Sequence, residues 1–136
     1  MKRSILACLA GLFTWIIVVT VINRIIRLTL PNYTAAEQTL QFTLSMKWAR
    51  LLMAVVTSLV AGAVTRWISP PSRWAPLIVG CVVLAMFVPL HIAIWSKFPV
   101  WYHLSFLLPI IPAVLLGALL VPRRNNHLDD VSSAPR

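Results

Sequence analysis

Residues 75–121 read APLIVGCVVLAMFVPLHIAIW-SKFP-VWYHLSFLLPIIPAVLLGALLV, and one charge, Lys97, interrupts these 47 residues. Crossing a bilayer as a helix takes about 20 mostly apolar residues. The run between Arg73 and Lys97 holds 23 uncharged residues, and the run between Lys97 and Arg123 holds 25. Each is long enough to cross. Lipid offers no partner to backbone N–H and C=O groups, so such runs must be helical. Two apolar helices joined only by Ser96-Lys97-Phe98-Pro99 form a tight antiparallel hairpin.

The same arithmetic extends to the rest of the chain. Between Arg3 and Arg24 lie 20 uncharged residues, and between Arg50 and Arg66 lie 15. The latter run makes about 22 Å of helix against a core of about 30 Å. Arg50 and Arg66 are expected to close the gap by laying their stems along lipid and lifting their heads to the interface. Trp48 and Trp67 flank them at headgroup depth. The chain therefore reads as an all-α membrane protein, an antiparallel four-helix transmembrane bundle. Its spans fall near 4–22, 48–67, 75–95 and 100–121 within a domain at 1–122. Residues 123–136 read as a polar, disordered cytoplasmic tail. Met1-Lys2-Arg3 before an apolar run resembles a signal peptide, but the run continues to Ile22, which predicts an uncleaved first span.

Composition excludes the alternatives. Of 136 residues, 60% are hydrophobic and 11% charged, where soluble domains carry roughly 25% charged. The net charge of +9 does not gather into a basic face. The cations punctuate apolar runs, so the acidic partner is the lipid bilayer and not nucleic acid. Four crossings put Lys2, Arg3, Arg66, Arg73, Arg123, Arg124 and Arg136 on one side. Arg24, Arg27, Lys47, Arg50 and Lys97 fall on the other. Seven cations against five place both termini in the cytoplasm. Cys8 and Cys81 stand alone in apolar runs and read as small packing residues.

The loop at 23–47 supports two readings. Thr34-Ala35-Ala36-Glu37 fits a capping box and predicts a helix from Ala35 leading into the second span. Thr39 to Met46 alternates polar and apolar, a strand period, which would pair with Arg27–Leu30 across Pro31-Asn32. The helix is preferred, because an isolated hairpin is marginal. Asn32-Tyr33-Thr34 matches a glycosylation sequon, without meaning in a bacterium. Ser69-Pro70-Pro71-Ser72 marks a stiff turn, and Pro76 suits a first helical turn. Pro89, Pro109 and Pro112 predict kinks inside the last two spans. Small residues four apart recur in every span: Ala7 and Gly11; Ala54, Ser58 and Gly62; Cys81 and Ala85; Ala113 and Gly117. They predict close helix packing within the bundle or between copies.

No Asp, Glu or Lys falls in the core of a span, which argues against a proton-coupled small multidrug exporter. Phosphate-loop, HExxH and GxSxG patterns are absent. The chain is accordingly read as a non-enzyme with no cofactor and no metal. The candidate site is a polar and aromatic cluster at one interface: Glu37, Arg50, His91, Trp95, Trp101, Tyr102 and His103, with Lys47, Lys97 and Tyr33 nearby. The hairpin puts His91 and His103 at similar depth, where facing rings would share a metal or relay a proton. Two histidines fall short of a zinc set, and Glu37 is the only further ligand at hand. The plainer reading is an interfacial aromatic belt with two hydrogen-bonded histidines.

Phe98-Pro99-Val100-Trp101-Tyr102-His103-Leu104-Ser105-Phe106-Leu107, running on to Leu115-Leu116-Gly117, resembles the last span of a family of small four-span bacterial membrane proteins with no established activity. Ala10-Gly11, Val60-Ala61-Gly62 and Val88-Pro89-Leu90-His91 with Trp95 are similar as well. The resemblance implies a bacterial cytoplasmic (inner) membrane and carries over no catalytic residue. The expected function is an accessory, interaction or structural component of that membrane. It would act with a homo-oligomeric or membrane-protein partner. The alternative is a small homo-oligomeric channel or transporter with a polar site near His91 and His103.

Overall fold

A computed structural model describes residues 2–68 and 74–122. These residues are helical in six segments and contain no strand. Helix α1 is Lys2–Thr29, α2 Tyr33–Thr39, α3 Leu44–Ile68 and α4 Trp74–Ala93; a 3-10 turn at Trp95–Lys97 precedes α5, Val100–Leu107, and α6, Ile110–Leu120. Four stretches are long and apolar enough to cross a membrane: α1, α3, α4, and α5 with α6 together. The Ser69-Pro70-Pro71-Ser72 turn and the tail at 123–136 lie outside the described residues.

The helices extend past the uncharged runs. Helix α1 continues beyond Ile22 to Thr29, because Arg24 and Arg27 are good helix formers and a charge does not end a helix. Helix α3 gathers 25 residues, about 37 Å, so the short uncharged run is no obstacle to crossing. Arg50 does not lift its head to the interface as expected. It turns inward toward α2 and α5, where phenol oxygens accept its donors.

The capping box does not form. Asn32, not Thr34, stands at the N-cap of α2, in a left-handed conformation and with no side-chain cap. Glu37 is drawn instead to Arg27 and Arg50. The lead-in helix also fails to reach the second span. Leu40 turns left-handed at φ 57°, and Thr43 restarts the chain as α3, its Oγ1 accepting from the Met46 N–H. The alternation at Thr39–Met46 thus covers a helix end, a short link and a helix start. Its apolar members serve different roles, with Phe42 and Met46 buried and Leu44 exposed.

Packing centres on α3, which lies between α1 and α6. The Cβ that Gly62 lacks would collide with the Val114 carbonyl, and the one Gly117 lacks with the Leu59 carbonyl. The two backbones touch through reciprocal glycines, the close approach that small faces allow in lipid. Ala7, Gly11, Ala54, Ser58 and Ala113 are buried on the same seams. Cys81 and Ala85 are exposed, so they are not an internal packing face. Helix α4 packs through Val79, Gly80 and Val83, the neighbouring stripe. Cys8 does pack, its thiol 3.6 Å from the Ala75 carbonyl.

Prolines shape the last crossing. Pro109 has no N–H for the Ser105 carbonyl, and the helix breaks there into α5 and α6. Bonds on either side continue, from Leu108 N to Leu104 O and from Ala113 N to Pro109 O. Pro112 falls in the first turn of α6, where a missing donor costs little. Pro89 is accommodated inside α4.

Candidate functional site

Polar side chains from five segments converge at one end, where the end of α1, α2, the start of α3, the end of α4 and the start of α5 meet. Arg50 is the hub. Its Nη1 donates to the Tyr33 hydroxyl at 3.1 Å, and its Nε donates to the Tyr102 hydroxyl at 3.2 Å. The guanidinium lies 4.7 Å from the centroid of the Phe42 ring, a cation–π contact, and 3.6 Å from Glu37. Tyr33 passes the interaction on, donating to Asn23 Oδ1 at 3.5 Å. Burial pushes the Tyr33 phenol above its ordinary range, with the Arg50 charge only partly opposing, so Tyr33 keeps its proton and can donate.

Glu37 is the sole carboxylate side chain among the described residues. It serves two arginines. Arg27 Nε lies 2.7 Å from Oε2, and Arg50 lies 3.6 Å from Oε1. The Oε2 atom is nonetheless buried without an aligned hydrogen-bond donor among the described residues. The Arg27 contact is therefore ionic and off the N–H axis.

Beyond Tyr102 stands the histidine pair. His91 and His103 are both buried, and their Nδ1 atoms are 2.8 Å apart. The network fixes the protons. The Trp95 carbonyl oxygen only accepts, so His103 Nε2 at 3.3 Å carries a hydrogen. In a neutral ring His103 Nδ1 is then the acceptor, and His91 Nδ1–H donates to it. The two nitrogens a shared metal would use are spent on each other. Glu37, the remaining ligand at hand, is engaged by arginines, and no group of three or more metal-ligating side chains occurs among the described residues. Trp95 stacks on His103 at 4.5 Å, His91 on Tyr102 at 6.1 Å, and Trp101 packs edge-on to Tyr102 at 6.1 Å. The structure thus links Glu37, Arg50, Tyr102, His91, His103, Trp95 and Trp101 in one connected cluster. Lys47 reaches the edge of it, 6.0 Å over the Phe98 ring.

Two cavities flank Arg50. One of about 380 Å³ runs from Trp15 to Arg24, Arg27 and Glu37. The other, about 220 Å³, includes His91, Phe98 and Tyr102. Arg50, Phe87 and Phe106 wall both. Arg24, Arg27, Trp15, Phe87 and Phe106 were not singled out as site residues from the sequence. A signal for two of them was present: Thr20, Asn23, Arg24 and Arg27 fall at helical spacing on one face of α1, the face that meets Glu37.

The chain matches no protein-family model, no curated protein and no solved structure.

Proposed function

We propose that the protein is a small polytopic integral membrane protein of the bacterial cytoplasmic membrane that works by binding rather than by catalysis, as an accessory component. Its four crossings form an antiparallel bundle with both termini in the cytoplasm. Three observations support the threading. Cys8 meets Ala75 at one end, and Arg50 meets Tyr102 at the other. Exposed Trp67 and Trp74 mark the first end, and exposed Trp48, Trp95 and Trp101 the second, as two interfacial belts would. The cations at the second end are the minority set, the side that the positive-inside rule assigns outward.

The observation that carries the accessory reading is the seam between α3 and α6. Gly62 and Gly117 bring the two backbones into contact. Helices joined in that way leave no conduit between α3 and α6 within one copy. A polar cluster at one end, on a bundle closed at its centre, suits a partner or ligand docked at the interface. Purification in mild detergent from native membranes tests the role. A stoichiometric partner is the expected result, and repeated recovery of a lone monomer would overturn it.

One observation favours the transporter reading as the second choice: the hydrogen-bonded His91–His103 pair beside the cavity of about 220 Å³. That reading requires flux in liposomes that both His91→Ala and His103→Ala reduce. Absence of flux from the unaltered protein removes it.

A further inference from the structure

The cavity of about 380 Å³ has a polar rim and an apolar floor. Arg24, Arg27 and Arg50 face it from the rim with Glu37, a charge of +3 against −1. Glu37 is already shared between Arg27 and Arg50, and Arg24 has no ion pair or hydrogen bond among the described residues. Since Glu37 is the sole carboxylate side chain among the described residues, the excess positive charge has no anion to meet it among them. Arg50 cannot relax outward into water, because Tyr33, Tyr102 and Phe42 hold it and its side chain is only 28% exposed. The floor is Trp15, Phe87 and Phe106, with the Phe87 ring 5.2 Å from Trp15 and 5.1 Å from Phe106.

We propose that this cavity binds an anionic amphiphile, with a phosphate-ester head held by Arg24, Arg27 and Arg50, and an apolar chain laid against Trp15, Phe87 and Phe106. Guanidinium groups match phosphate oxygens in geometry as well as charge. Ligand cavities run to about 300–1,000 Å³, so this one takes a head group and the start of a chain, and the rest of the chain leaves into lipid. Arginines scattered at an interface meet bulk headgroups in any membrane protein. Here three of them converge on one concave site over an aromatic floor. The site rests on the membrane-embedded reading above and is independent of the accessory role.

Native mass spectrometry of the full chain released from maltoside micelles tests it, with chain-matched lysophosphatidylglycerol and lysophosphatidylcholine as probes. Glycerol 1-phosphate serves as the free head. The expected result is one lysophosphatidylglycerol retained per chain, at least tenfold over lysophosphatidylcholine, with no retention of glycerol 1-phosphate. The R24Q/R27Q double variant should lose that selectivity. Because Arg27 is tied to Glu37, R24Q alone is the second variant; it removes no contact within the fold and should weaken retention severalfold. Equal retention of the zwitterionic probe, tight binding of the free head, or undiminished selectivity in R24Q would each overturn the site. A missing protein partner on native purification would sink the accessory role and leave this result untouched.

Discussion

Arg50 is one cation with four neighbours, Tyr33, Tyr102, Glu37 and Phe42, and its removal should be felt at each. Hydrogen bonds to a charged group contribute about 1.5–3 kcal/mol apiece where they are shielded from water. Arg50→Met keeps the stem and leaves two phenols and a carboxylate short of partners. Two such bonds, discounted because the Arg50 side chain is 28% exposed, should appear in thermal unfolding in detergent as a loss of about 2–3 kcal/mol. Tyr102→Phe removes one of those bonds and should cost about half as much; an unchanged melting temperature in both would mean the network does not hold the helices. The histidine pair makes a different prediction. The proton positions argued from the Trp95 carbonyl require His91 as the Nδ1–H tautomer and His103 as the Nε2–H tautomer. Nitrogen-15 spectra of selectively labelled protein should show one ring of each kind. Two rings of the same tautomer would contradict the network.

At the scale of elements, the two glycines at the α3–α6 seam carry the sharpest expectation. A methyl group at Gly62 or Gly117 meets a backbone carbonyl, which cannot swing aside as a side chain can. Gly62→Ala and Gly117→Ala should each cost at least the 1–3 kcal/mol typical of overpacking, read as a lower unfolding temperature. Cys81→Leu, on an exposed face, should change it little. Pro109 makes the opposite prediction. Pro109→Ala restores a donor for the Ser105 carbonyl at a backbone φ of −75° and ψ of −13°, already helical. Amide exchange across the junction of α5 and α6 should slow. Apolar length located the four helical stretches that are long and apolar enough to cross a membrane, because that property depends on little else. The glycine stripes were visible at four-residue spacing, but their partners were not, since partner choice depends on how helices rotate. That is why the stripe of Cys81 and Ala85 was read as a packing face without saying whether within the bundle or between copies; within the bundle Val79 and Val83 do the packing. The loop at 23–47 misled for a related reason. Thr34 and Glu37 have the right spacing for a cap, yet two arginines distant in sequence offer Glu37 more than a backbone N–H does. The cluster around Arg50 was half legible: residue type and depth brought Glu37, Arg50, Tyr102 and the two histidines together. Arg24 and Arg27 were counted only as flanking charge.

Taken whole, the molecule is asymmetric from end to end. Near Cys8, Thr65 and Ala75 it is closed by small residues and threonine back-bonding, with Thr65 Oγ1 donating to Ala61 O within its own helix. Near Arg50 it is open and polar, with both cavities. In a bilayer this difference becomes a difference between compartments, so orientation decides which leaflet meets the arginines. The positive-inside bias is seven to five, a margin small enough for a few charges to reverse. Tags fused to the two ends should be equally shielded from an impermeant reagent in intact cells and equally reached after lysis. Opposite accessibility would mean an odd number of crossings and would break the bundle as described. Adding two lysines to the loop after α1, beside Arg24 and Arg27, equalises the count at seven against seven. That change should produce a mixed population in which some chains expose both tags. If it does, the bias of the native chain fixes its orientation, and the arginine cavity faces away from the cytoplasm. If no exposed tag appears, something other than flanking charge sets the threading.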